Sequence, residues 1–113
     1  MFEVSVEHTF SAAHALRDYR GKCERVHGHN YRVRVTVEGA ELAPNGLLID
    51  FVDLRRLLHE AIEPLDHRVL NDLPPFDSIN PTAEEMARYF YHTLAERLKA
   101  SHVSRVRLKE VQV

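Results

Sequence analysis

A short stretch of the chain, from Cys23 to His29, carries residue types that bind metal ions. It reads Cys-Glu-Arg-Val-His-Gly-His and holds the single cysteine and two of the eight histidines. Imidazole and thiolate are the ligands that zinc prefers. Because His27 and His29 are two residues apart, both imidazoles point to the same side of an extended segment. Gly28 between them has no side chain, so a ligand can approach the backbone closely. This spacing predicts half of a metal site.

His14 is the candidate for a third ligand. It follows the small residues Ser11-Ala12-Ala13, which leave room around its imidazole. Three neutral imidazoles, from His14, His27 and His29, leave the fourth position of a tetrahedral zinc ion open, which is typical of a catalytic site. The alternative is that the three are scattered polar histidines, the commoner situation for any single one of them.

Cys23 precedes His27 by four residues and stands between the charged residues Lys22 and Glu24. A zinc ion and the neighbouring Arg25 would favour its thiolate form. The thiol could be a fourth ligand that closes the metal site, or a general base beside the metal. The alternative is a small buried side chain, against which the charged neighbours argue.

Four further residues are candidates for acid–base work or binding. Asp66 and His67 are adjacent in an irregular stretch, where they form either an acid–base pair or an ordinary polar loop. Glu84 falls in the first turn of a predicted helix, where a carboxylate also has a structural explanation in the helix dipole.

Glu110 falls on the apolar face of the last predicted strand, either at a bulge or facing a covered site. A carboxylate on that face is costly unless it is paired, and it would suit a ligand with adjacent N–H donors.

The elements that must position these residues follow from hydrophobic periodicity. Alternation predicts strands and a 3.6-residue period predicts helices, with Asp50 and Thr82 as helix N-caps. Two helices covering one face of a four-stranded antiparallel sheet make an α+β fold, whose open strand edges invite pairing with another subunit. The predicted elements are a strand over 2–8 that continues toward His14, strands over 30–38 and 47–49, helices over 51–63 and 82–99, and a last strand from Val103.

Composition limits the function classes. The chain has 113 residues and a formal net charge of −2, which predicts one domain over 1–113 and argues against a nucleic-acid or anionic-membrane surface. One cysteine cannot form an internal disulfide. No apolar run has the length of a membrane span, and the N-terminus lacks the features of a signal peptide. We therefore expect a soluble, cytoplasmic protein.

Five motifs in order resemble one family, the 6-pyruvoyl-tetrahydropterin synthase / 6-carboxy-tetrahydropterin synthase family, over nearly the whole chain. The spacing of three residues between Cys23 and His27 is closer to the bacterial 6-carboxy-tetrahydropterin synthase branch, since the biopterin-pathway enzymes usually have five there. The motifs are Phe10-Ser11-Ala12-Ala13-His14, Cys23-x3-His27-Gly28-His29, Ile49-Asp50-Phe51, Leu65-Asp66-His67-x2-Leu70-Asn71 and Asn80-Pro81-Thr82-x-Glu84.

The resemblance implies the tunnelling fold (T-fold), in which trimers close a β-barrel and two trimers stack into a homohexamer with active sites shared between subunits. It implies Zn2+ on the three histidines, Cys23 as the proton-abstracting base with Asp66 and His67 as its partners, and a glutamate that anchors the pterin. The implied reaction converts 7,8-dihydroneopterin triphosphate to 6-carboxy-5,6,7,8-tetrahydropterin, with loss of acetaldehyde and triphosphate, on the route to queuosine. Lys22, Arg25 and Arg68 are candidate triphosphate contacts.

One departure from the family pattern concerns the anchoring glutamate. In the family a threonine and several further residues usually follow it, whereas here Val111 follows Glu110 and the sequence ends at Val113. Either Glu110 is the anchor or the anchor lies beyond Val113. Two other functions stay open: a pyruvoyl-type synthase that eliminates triphosphate and keeps the side chain, and a non-catalytic metal- or pterin-binding oligomer.

Overall fold

A computed structural model describes residues 1–18, 25–101 and 105–113 of the chain. The predicted start of the last strand at Val103 lies outside these ranges. The described residues form an α+β fold in which two long strands precede two helices and a short strand. The elements are β1 (Phe2–His14), β2 (His27–Gly39), α1 (Phe51–Ile62), a single 3-10 turn (Leu70–Asp72), α2 (Ala83–Ala100) and β3 (Arg107–Gln112).

The sheet is antiparallel, with β2 in the centre. β1 and β2 form a hairpin that pairs along all 13 residues of each strand, from Phe2 opposite Gly39 to His14 opposite His27. β3 pairs with the other edge of β2, over residues 34–38 only. Alternate residues of β2 from Tyr31 onward are buried, because the pleat sends every second side chain toward the helices. The buried residues of β2 on this face are Tyr31, Val33, Val35 and Val37.

Both predicted helices are confirmed, each to within one residue at its ends. Asp50 begins α1 by accepting a hydrogen bond from the N–H of Val52 at 2.8 Å, and Thr82 begins α2 by accepting from the N–H of Glu85 at 3.1 Å. Such side-chain caps satisfy N–H groups that have no partner inside the helix. The buried stripe of each helix packs on the sheet and closes the core; it consists of Leu54, Leu57, Leu58, Ala61 and Ile62 in α1 and of Met86, Phe90, Leu94 and Leu98 in α2.

The predicted strand over 47–49 is wrong, and the sheet of the described ranges has three strands rather than four. The segment follows a turn in which the N–H of Ala43 donates to the carbonyl of Leu47 at 2.8 Å. Leu48 and Ile49 are nonetheless buried, at 3% and 8% exposure. Their apolar character therefore reflects burial in the core, because a short apolar run is buried equally well with or without strand pairing.

A β-bulge in β3 decides between the two interpretations of Glu110. Thr36 of β2 lies opposite Glu110 while the next residue, Val37, lies opposite Leu108, so Lys109 is an extra residue in the ladder. The bulge reverses the alternation. Glu110 therefore lies on the sheet face away from the helices, where it is exposed, and within one chain it does not face a covered site.

Among the described residues, no helix combines the length and the apolar character that crossing a membrane requires.

Candidate functional site

Three histidines come together at one end of the β1–β2 hairpin. His14 lies opposite His27, and His29 lies two residues further along β2, opposite Ala12. All three side chains share the helix-facing side of the sheet because they occupy alternating positions. Their candidate ligand nitrogens lie within 4.8 Å of one another, and the three ring centroids are 4.6 to 5.1 Å apart. The structure thus brings together the three residues that the sequence predicts as a metal site.

Backbone carbonyls orient two of these rings. Nδ1 of His14 lies 2.7 Å from the carbonyl oxygen of Pro81, and Nδ1 of His27 lies 2.7 Å from the carbonyl oxygen of Arg25. A carbonyl oxygen can only accept a hydrogen bond, so each Nδ1 is the nitrogen that carries the hydrogen. In the neutral rings both Nε2 atoms then present a lone pair, and these two atoms are 3.1 Å apart.

This arrangement of donors fits a zinc ion. With zinc–nitrogen bonds of about 2.0–2.1 Å, neighbouring nitrogens of a tetrahedral site are about 3.3–3.4 Å apart, close to the 3.1 Å between Nε2 of His14 and Nε2 of His27. Two facing lone pairs repel each other unless a proton or a cation lies between them. Hydrogen bonding of the second ring nitrogen to a carbonyl is also the usual support of a metal-binding histidine.

Burial keeps the deepest histidine in the neutral form that binds metal. His14 is 6% exposed. Its pKa lies below the ordinary value, chiefly because burial disfavours the cation. The hydrogen bond to Pro81 raises the pKa of His14, whereas the charges of His27 and His29 lower it. Tyr31 lies behind it, with its hydroxyl oxygen 3.1 Å from Nδ1 of His14. Burial raises the pKa of Tyr31 to about 12, so this phenol is neutral as well.

Tyr31 and Pro81 are contacts of the site that the sequence analysis did not identify. Tyr31 continues the alternation of His27 and His29 along one strand face, so the spacing could have found it. The carbonyl of Pro81 had no such signal, because a main-chain contact between residues 67 positions apart depends on the tertiary fold.

Asp66 and His67 are in direct contact with each other. Nδ1 of His67 lies 2.9 Å from Oδ1 of Asp66. His67 has a φ of 59°, a left-handed conformation that turns the chain sharply at this residue. The pair is fixed to β1, because Oδ1 of Asp66 accepts from the N–H of Ser11 at 3.1 Å and the N–H of His67 donates to the carbonyl of Ser11 at 2.6 Å. The His67 side chain is 80% exposed and free to meet a ligand.

One cavity of about 420 Å³ lies beside one histidine of the cluster and one residue of this pair. His29 and His67 both line it. Residues of β1, of β2 and of the loop after α1 line it. The complete lining is Ser11, Ala12, Ala13, Gly28, His29, Asn30, His67, Arg68 and Val69.

Among the described residues, the remaining candidates do not all lie at this cavity. Cys23 and Lys22 lie outside the described residues. Arg68 lines the cavity, whereas Glu84 is exposed on the first turn of α2. Glu110 lies level with Ser5 across the sheet, nine residues from His14 along β1, which is about 30 Å of strand. A single chain therefore cannot present Glu110 to a small molecule held at the histidine cluster.

Comparisons with known proteins agree on one family. The sequence model described as 6-pyruvoyl tetrahydropterin synthase matches residues 3–113. A putative 6-carboxy-5,6,7,8-tetrahydropterin synthase of Archaeoglobus fulgidus is 36% identical over 95% of this chain and 86% of its own length. A 6-pyruvoyl tetrahydrobiopterin synthase of Poecilia reticulata is also 36% identical, over 90% of this chain and 79% of its own. The structure of a Caenorhabditis elegans 6-pyruvoyl tetrahydropterin synthase superposes with a TM-score of 0.76 at 29% identity, covering 97% of this chain and 90% of that one.

Proposed function

The chain belongs to the 6-pyruvoyl tetrahydropterin synthase family, and we propose that it is a zinc-dependent carbon–carbon lyase within it. The proposed substrate is 7,8-dihydroneopterin triphosphate. With one water consumed, the products are 6-carboxy-5,6,7,8-tetrahydropterin, acetaldehyde and triphosphate, as a step of queuosine biosynthesis. The observation that carries the proposal is the pair of Nε2 atoms 3.1 Å apart in His14 and His27, with both Nδ1 hydrogens held by carbonyls.

The metal site has the composition of a catalytic centre. His14, His27 and His29 would supply three neutral nitrogen ligands and leave one position for substrate. Zinc, when bound, polarises the hydroxyl oxygens of the substrate side chain and lowers their pKa. His29 is the exposed member of the three and lines the cavity, so a ligand in the cavity would lie next to this histidine.

Proton transfer is assigned to Cys23 and to the Asp66–His67 pair. Cys23 as thiolate takes a proton from the substrate side chain; this role comes from the family resemblance. The carboxylate of Asp66 holds the Nδ1 hydrogen of His67, which leaves Nε2 of His67 to accept or return a proton. The same carboxylate stabilises the imidazolium that forms.

Substrate binding needs more than one copy of the chain. Glu110 is our candidate for the pterin anchor and Glu84 for a second contact, and a partner subunit would supply Glu110 because of its distance of about 30 Å along the strands. Arg25, Arg68 and Lys22 are the candidate cations for triphosphate. We propose the homohexamer of two stacked trimers, in which the sheet edges pair between subunits.

The product decides between the two reactions of the family. The three-residue spacing between Cys23 and His27 favours the 6-carboxy product, while relatives with both names match at the same 36% identity. Incubation of the zinc-loaded protein with dihydroneopterin triphosphate, followed by mass analysis of the pterin, tests this. The mass of 6-carboxy-tetrahydropterin supports the lyase, and a pterin that keeps all three side-chain carbons contradicts it.

Cys23→Ala separates an enzyme from a binding protein. We expect this variant to keep zinc and lose turnover. Unchanged product formation would contradict the role of Cys23, and loss of zinc together with turnover would make the thiol a ligand rather than a base.

A further inference from the structure

Two asparagine side chains hold the segment that follows His14. The N–H of Ala15 donates to Oδ1 of Asn71 at 2.9 Å, and Nδ2 of Asn71 donates to the carbonyl of Ala15 at 2.8 Å. Asn80 makes the same pair of hydrogen bonds with Arg17, at 2.8 and 3.0 Å. An amide side chain that accepts from and donates to one residue replaces the backbone of a neighbouring strand.

These amides continue a hydrogen-bond ladder that begins inside β1. On the edge of β1 opposite β2, the carbonyl of Ser11 accepts from the N–H of His67 at 2.6 Å, and the N–H of Ala13 donates to the carbonyl of Arg68 at 3.0 Å. In an extended chain the N–H and C=O of every second residue face the same edge. The residues held on this edge are the alternate ones Ser11, Ala13, Ala15 and Arg17.

The ladder ends next to the group that orients the metal-site histidine. Asn80 immediately precedes Pro81, whose carbonyl oxygen accepts the Nδ1 hydrogen of His14. Asn71 holds Ala15, the residue directly after His14. The segment 71–81 thus fixes both the main chain beside His14 and the acceptor of its ring hydrogen.

We propose that Asn71 and Asn80 are positioning residues of the metal centre. They hold His14 with its Nδ1 hydrogen on Pro81 and its Nε2 toward His27. This inference rests on the metal-binding part of the proposed function and is independent of which pterin product forms. Loss of groups that support a metal ligand lowers metal affinity by about 10- to 100-fold, so we expect an effect on metal affinity without contact to the metal.

Asn71→Ser and Asn80→Ser test the inference, because serine removes the paired amide without adding charge. Cobalt(II) is titrated into the metal-free protein, which carries no histidine tag. The visible absorption of the bound cobalt reports metal affinity. Nitrogen-15 NMR of the metal-free protein reports which nitrogen of His14 carries the hydrogen. We expect about tenfold weaker cobalt binding or more and loss of the fixed Nδ1–H form of His14, with the circular dichroism spectrum retained.

Asn45→Ser is the matched control. Its Oδ1 accepts one hydrogen bond from the N–H of Leu47, at 3.1 Å, in an exposed turn, and we expect no change in either readout. Wild-type cobalt affinity and an unchanged His14 ring in both test variants would overturn the inference. If the wild-type protein does not bind cobalt, the proposed metal site is contradicted. The nitrogen that carries the hydrogen in His14 then decides by itself whether Asn71 and Asn80 position this ring.

Isosteric variants cover the case in which a serine variant does not fold. Asn71→Asp and Asn80→Asp keep the acceptor oxygen for the N–H of Ala15 or Arg17, lose the donor to its carbonyl and gain a negative charge. We expect the same direction of change in cobalt affinity. An affinity equal to wild type in both folded aspartate variants would overturn the inference.

Discussion

The Nε2 atoms of His14 and His27 face each other at 3.1 Å while the Nδ1 hydrogen of each ring is held by a main-chain carbonyl. Two neutral imidazoles in this state have no hydrogen to share, so their contact is unfavourable without a cation between them. A bound metal ion turns this repulsion into two ligand bonds. The geometry of the cluster therefore favours a bound cation, and we expect the stability of the protein to depend on the metal.

Replacement of a cluster histidine should reduce zinc binding. We expect His27→Ala to bind zinc at least about tenfold more weakly than wild type, since a lost ligand costs no less than a lost supporting group. Zinc at about 100 times its Kd should stabilise the wild-type protein by about 2.7 kcal/mol. At the same zinc concentration this gain should fall to about 1.4 kcal/mol or less in the variant. Metal analysis and thermal unfolding with and without chelator measure both effects.

His92→Ala is the control for that experiment, because His92 is exposed on α2 and distant in sequence from the cluster. It should bind zinc like wild type. Equal zinc affinity in His27→Ala and His92→Ala would refute the three-histidine site.

Asp66→Asn should slow the reaction without removing zinc. Asparagine keeps an oxygen that can accept from the N–H of Ser11, but it carries no charge to stabilise a protonated His67. We expect kcat to fall by about 10²- to 10⁴-fold, the usual contribution of acid–base catalysis. Asp77→Asn is the control, because Asp77 is exposed in the loop before α2. It should leave kcat unchanged. A kcat within twofold of wild type in Asp66→Asn would argue that the pair is structural.

Two inactive variants should restore activity when they are mixed. Glu110 and the histidine cluster are about 30 Å apart along the strands of one chain, so a working site would combine Glu110 of one subunit with His27 of another. Unfolding and refolding Glu110→Ala with His27→Ala in equal amounts should give about one quarter of wild-type sites by random assembly. Absence of any recovery in reassembled oligomers would indicate that Glu110 is not part of the site.

Ionisation of Tyr31 should lower the free energy of unfolding at alkaline pH. Burial raises its pKa to about 12 from an ordinary value of about 10. Between these values the folded state holds a proton that the unfolded state has lost, so the free energy of unfolding decreases as pH rises through this window. Urea unfolding at pH 9, 10 and 11 should show a steeper decrease for wild type than for Tyr31→Phe. Parallel curves for the two proteins would contradict this assignment.

Gly39 and Gly28 should respond differently to alanine. A Cβ at Gly39 would lie 2.5 Å from the carbonyl oxygen of Arg105 and 2.6 Å from Cδ1 of Leu48, whereas at Gly28 the nearest atom is 4.0 Å away. Gly39→Ala should therefore destabilise the fold by about 1–3 kcal/mol, and Gly28→Ala should leave the unfolding midpoint near wild type. Equal midpoints for the two variants would show that the hairpin end at Gly39 adapts without cost.

The sequence predicts what depends on short-range patterns. The spacing of His27 and His29, the small residues before His14 and the capping residues Asp50 and Thr82 each follow from local geometry, and the structure agrees with them. The segment 47–49 was predicted wrongly because burial and strand pairing leave the same apolar signature over three residues.

Longer-range features have no local signal. The carbonyl of Pro81 reaches His14 across 67 residues, and the bulge at Lys109 places Glu110 on the outer face. Neither the position of a main-chain acceptor nor the choice between a bulge and a buried carboxylate follows from residue types alone. Both depend on how the strands and the loop before α2 come together.

The ratio of acetaldehyde to triphosphate released from 7,8-dihydroneopterin triphosphate tests the proposed lyase most directly. Both products are measured in the same reaction, with the zinc-loaded protein and with the protein after chelation. We predict one acetaldehyde for each triphosphate with zinc, and neither product without it. Triphosphate release without acetaldehyde, or acetaldehyde release that is unchanged by chelation, would contradict a zinc-dependent carbon–carbon lyase.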